Sequence, residues 1–85
     1  MAFDVILILW HEDYVKMESY SESRTVEATY ETEEDAHNYA EELVDMWCSY
    51  EKRPVRFVNG KDHGAYVESD WRRTARGIRV TVAKS

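Results

Sequence analysis

Eighty-five residues, 44% apolar and 33% charged, bound the chain to one small domain, residues 1–85, with no room for two cores. A single cysteine, Cys48, excludes an internal disulfide framework, and the apolar run Val5 to Trp10 is far too short to span a bilayer. The formal net charge of −6 hides a split: residues 1–51 hold fourteen Asp or Glu against Lys16 and Arg24, a net of −12, while residues 52–85 hold nine Lys or Arg against three acids, a net of +6.

Phe3 to Trp10 reads as a strand. Val5-Ile6-Leu7-Ile8-Leu9 is apolar without alternation and rich in β-branched residues, which predicts a central place in a sheet. No Lys or Arg precedes this run, and it continues into His11-Glu12-Asp13, so it does not read as a secretion signal. A soluble, cytoplasmic protein is expected. Tyr14 to Ser23 shows no period and reads as a long hairpin connection. Arg24 to Glu31 alternates, with Val26, Ala28 and Tyr30 facing one way and Thr25, Glu27, Thr29 and Glu31 the other.

The helix signal lies between about Glu33 and Tyr50. Ala36, Tyr39, Ala40, Leu43, Trp47 and Tyr50 recur at spacings of three and four and predict one apolar face. Thr32 is the expected N-cap, and Glu33, Glu34 and Asp35 place negative charge at the positive end of the helix dipole. Lys52 and Arg53 suit the far end, and Pro54 stops the helix. Beyond it, Val55 to Val58 predicts a short strand and Asn59-Gly60 a tight turn. Ala65 to Trp71 fits either a strand or an irregular segment. Arg72 to Gly77 reads as a loop, and Ile78 to Ala83 as the last strand, with Ile78, Val80 and Val82 on one face.

The expected fold class is therefore α+β: one amphipathic helix packed on one face of a mainly antiparallel sheet of four to five strands, in the order β-β-α-β-(β)-β. A single helix covers only one face, yet the first strand is apolar on both. Either Val5, Leu7 and Leu9 or Ile6, Ile8 and Trp10 must be covered by residues 61–75, by a second copy in a homodimer, or by a partner.

No pattern implies a reaction. His11, His37 and His63 are not spaced as metal ligands, no serine sits in a nucleophile elbow, and Gly60, Gly64 and Gly77 are isolated. Cys48 reads as a buried, inert thiol on an acidic helix. The expectation is a non-enzymatic protein with no catalytic residue, metal or cofactor.

Two charged features carry functional expectations. The acidic half attracts a basic protein partner, with Glu34, Glu41, Glu42 and Asp45 as the candidate contacts. Trp71, Arg72, Arg73, Arg76 and Arg79 combine phosphate-pairing side chains with one stacking ring, the pattern of an alternative nucleic-acid-binding module. The split also fits an acidic half lying against its own basic half.

The stretch Thr29-Tyr30-Glu31-Thr32-Glu33-Glu34-Asp35-Ala36-His37-Asn38-Tyr39-Ala40-Glu41-Glu42-Leu43 resembles a pattern of small bacterial and bacteriophage proteins. In that pattern a strand ends in an aromatic, followed by Ser or Thr, an acidic pair and Ala-x-x-Tyr-Ala. The resemblance covers about a fifth of the chain. Together with its length and acidity, the chain resembles bacteriophage accessory proteins, many of which bind and redirect a host protein. That resemblance implies a protein partner in the host cytoplasm and assigns no functional residue.

Overall fold

The computed structural model describes residues 1–14, 19–61, 63–69 and 73–85. The elements are β1 (Phe3–Asp13), β2 (Ser19–Tyr30), α1 (Glu33–Ser49), β3 (Arg56–Phe57), β4 (Gly64–Glu68) and β5 (Thr74–Lys84). The five strands form one sheet in the order β2-β1-β5-β4-β3, every neighbouring pair antiparallel, with α1 packed on one face. This is the expected α+β architecture, with β1 lying inside the sheet between β2 and β5.

The helix forms where the spacing placed it. Thr32 is extended, and its hydroxyl accepts the amide of Asp35 at 3.2 Å. Ala36 and Ala40 are fully buried, and Val44 joins them at 3% exposure. Small residues there let the helix axis approach the sheet, where Val5, Ala65, Ile78 and Val80 complete the core. Tyr39, Leu43 and Trp47 flank it, half-buried. Tyr50, placed on the apolar face by spacing alone, is instead 80% exposed, because the helix ends at Ser49 and Tyr50 is its C-cap. Lys52 and Arg53 lie beyond the last turn, which contains no basic residue.

Several boundaries differ from the sequence expectation. Strand β2 already begins at Ser19, so Ser19 to Ser23 is strand rather than connection; residues 15–18 lie outside the described residues. The register steps from Val5 opposite Ala28 to Ile6 opposite Val26, a β-bulge that leaves one extra residue in β2. The bulge reverses the facing of the strand. Ala28 and Tyr30 point to the helix side, while Val26 points to the other face and is 58% exposed. The expected common face of Val26, Ala28 and Tyr30 is thereby corrected. Thr74 to Gly77, expected as loop, belongs to β5, because Thr74, Ala75, Arg76 and Gly77 pair with Asp13, Glu12, His11 and Trp10. The short strand after Pro54 contains only Arg56 and Phe57. Asn59 (φ 48°, ψ 42°) and Gly60 (φ 70°, ψ 24°) both adopt the left-handed conformation that the Asn-Gly pair favours.

The strip left open by the helix is Ile6, Ile8 and Trp10. The described part of residues 61–75 does not fold across it, since β4 instead extends the sheet beside β5. Ile8 is nevertheless only 1% exposed. Its cross-strand neighbours on that face are Arg24 and Arg79, long side chains whose stems can cover apolar surface. The rings of Tyr20 and Tyr66 flank Trp10, with centroids 6.5 and 6.1 Å away.

Candidate interaction surfaces

The outer face of α1 is acidic because the helical period puts carboxylates opposite the alanine stripe. Glu34, Glu41 and Asp45 follow at spacings of seven and four, and Glu42 lies beside them; all four are exposed. Among the described residues, none of the four enters an ion pair. The structure thus brings together all four residues of the acidic candidate.

Among the described residues, Arg24, Arg56, Arg76 and Arg79 pair with other carboxylates. Arg76 grips Glu51 with two parallel hydrogen bonds of 2.5 and 2.7 Å. The Arg76 guanidinium holds the Glu51 carboxyl below its ordinary range. Arg24 donates to Glu22 at 2.9 Å, and Arg79 approaches the same carboxylate at 3.7 Å. Arg24 first, and then the Tyr20 hydroxyl donating at 2.8 Å, hold the Glu22 carboxyl low. Arg56 lies 3.5 Å from Glu68. Arg76–Glu51 and Arg79–Glu22 join the basic half to the acidic half, so part of the charge split is self-complementary, but the outer face of α1 takes no part in it.

The basic candidate does not form one patch among the described residues. Arg76 stands opposite His11 on the helix side of β5, while Arg79 stands opposite Ile8 on the open side. Arg73 is exposed, its amide held by the Ser69 hydroxyl at 2.9 Å. Trp71 and Arg72 lie outside the described residues.

One pairing carries no local sequence signal. His37 on α1 and His63 before β4 share a hydrogen bond, Nδ1 to Nε2, of 2.8 Å. They are twenty-six positions apart, and only the docking of α1 against β4 brings them together. The two are thus a pair rather than two separate surface histidines. No group of three or more His, Cys, Asp or Glu able to hold a metal occurs among the described residues. Burial pushes the Cys48 thiol up, with the carboxylates of Asp45 and Glu51 adding to it, and so disfavours the reactive thiolate. No helix among the described residues is long and apolar enough to cross a membrane.

Comparison with known proteins found no match among protein-family models, curated proteins or solved structures.

Proposed function

We propose that this chain is a non-enzymatic, cytoplasmic interaction protein that binds a basic surface of a protein partner through the outer face of α1. The observation that carries the reading is the unneutralised acidic face. Glu34, Glu41, Glu42 and Asp45 are exposed together without an internal counter-charge among the described residues, while Arg24, Arg56, Arg76 and Arg79 are committed to Glu22, Glu68 and Glu51. Solvated carboxylates clustered on one rigid element steer a cationic partner and set its orientation. A nucleic-acid partner is less well supported, because Arg76 and Arg79 stand on opposite faces of the sheet.

The test is capture from lysate of the source cell with the tagged chain, with and without nuclease, beside a variant carrying Glu34→Lys, Glu41→Lys, Glu42→Lys and Asp45→Lys. A protein band that survives nuclease, weakens as salt rises and is lost with the variant is expected. Circular dichroism must show the variant still folded. A band retained by the folded variant removes α1 as the contact. Recovery that disappears with nuclease moves the reading to the basic segment.

A further inference from the structure

We infer that the free edge of β2 is a self-association surface, along which two copies pair their β2 strands antiparallel about a two-fold axis at Ser23. This contact is separate from the outer face of α1 and does not depend on the function proposed for that face.

Strand β2 is an edge strand twelve residues long, and among the described strands it is hydrogen-bonded only to β1. Its outward amides and carbonyls present an unpaired ladder. Natural edges of this length are usually blunted by proline, lysine or a covering element. Ser19-Tyr20-Ser21-Glu22-Ser23-Arg24-Thr25-Val26 contains no proline and no lysine. Every residue from Tyr20 to Glu27 is exposed, so no part of the described chain covers this edge. The bulge comes only after Val26, which leaves Tyr20 to Val26 as a regular stretch centred on Ser23.

The side chains on this stretch are complementary to themselves. Tyr20, Glu22, Arg24 and Val26 lie opposite Glu12, Trp10, Ile8 and Ile6 and therefore share the open face of the sheet. A two-fold axis at Ser23 sets Glu22 opposite Arg24 of the second copy, and Arg24 opposite its Glu22. The same axis sets Tyr20 opposite Val26 in both directions. Tyr20 and Val26 are 50% and 58% exposed in the single chain, and an aromatic facing a β-branched residue across strands is a favourable pair. Neighbouring two-fold registers lose this match. Centring on Glu22 sets Glu22 against itself, and centring on Arg24 sets Arg24 against itself; like charges directly opposite are destabilising. Both copies then contribute to one continuous sheet of ten strands. Glu22, which already accepts from Arg24 and Tyr20 of its own strand and lies 3.7 Å from Arg79, gains a further arginine.

The experiment is analytical ultracentrifugation over a concentration series, with wild type, Glu22→Arg, Arg24→Glu and an equimolar mixture of the two variants. Wild type is expected to shift from monomer towards dimer as concentration rises. Each variant alone places like charges opposite and is expected to stay monomeric. In the mixture, one strand carries arginine at both positions and the other carries glutamate at both. Each cross-strand pair is then of opposite charge, and the dimer is expected to return as a heterodimer. Matching circular dichroism spectra confirm that each variant folds. Wild type that stays monomeric at every concentration overturns the inference. A dimer that forms equally in both single variants overturns it as well, because β2 is then not paired at this register.

Discussion

The indole of Trp10 lies where a side chain on Gly77 would have to go. A Cβ built on Gly77 would meet Trp10 Cζ2 at 2.7 Å and Cε2 at 2.8 Å, and the Ala65 carbonyl oxygen at 2.5 Å. The two residues are cross-strand partners, Trp10 on β1 and Gly77 on β5. The glycine is required here by space rather than by backbone conformation, since its φ is not in the left-handed region. Gly77→Ala is expected to destabilise the fold by about 1–3 kcal/mol through overpacking. Urea unfolding would measure this, and an unchanged midpoint would show that the Trp10 ring and the Ala65 carbonyl both give way without cost.

Glu51 and Arg76 fasten the end of α1 to β5. The Glu51 side chain is only 10% exposed, whereas that of Arg76 is 51% exposed, so solvent screens the pair on one side. Hydrogen bonding from Arg76 lowers the Glu51 carboxyl in the folded state. A carboxyl lowered on folding contributes stability that is present above its unfolded value and lost as pH falls through its folded value. Glu51→Gln is therefore expected to cost about 1 kcal/mol at neutral pH. The difference from wild type should shrink as pH falls below the ordinary carboxyl range. Thermal melts of both proteins across the acid limb check this, and a difference that stays constant with pH would assign the cost to packing.

What could be read from the chain follows from range. Thr32, the alanines at Ala36 and Ala40, and the alternation Ile78–Val80 are local patterns, and each took its expected place, whereas Ala65 to Trp71 fits a strand or an irregular segment until pairing with β5 makes Gly64–Glu68 a strand. The acidic face of α1 is local in the same sense, because one helical period fixes where Glu34, Glu41, Glu42 and Asp45 point. Val26 was misplaced because a single bulge reverses a strand of period two, and nothing in Thr25-Val26-Glu27 marks it. Arg76 and Gly77 read as loop because an arginine and a glycine make a poor strand in isolation. Their pairing with His11 and Trp10 decides otherwise, as tertiary context overrides weak propensity. Tyr50 fits the helical stripe, but the helix stops one residue earlier.

The pair His37–His63 shows the same limit and sets a specific expectation. The ring centroids are 5.0 Å apart and the shared contact is 2.8 Å, so the imidazoles meet edge to edge with one nitrogen donating to the other. His37 Nε2 also faces Glu33 Oε1 at 3.4 Å, and His63 Nδ1 is buried with no hydrogen-bond partner among the described residues. If His63 Nε2–H donates to His37 Nδ1, then His37 Nε2–H points at the Glu33 carboxylate and the buried His63 Nδ1 is a bare acceptor. The reverse direction sets a lone pair of a neutral His37 against that carboxylate and buries an unsatisfied N–H on His63. The first arrangement leaves no donor stranded, and it is the one expected. Long-range proton–nitrogen spectra should show His63 protonated at Nε2 and bare at Nδ1, and the opposite tautomer would reverse the assignment. A double-mutant cycle of His37→Ala and His63→Ala should give a coupling of about 1 kcal/mol. Additive losses would mean that the two rings touch without holding α1 to the start of β4.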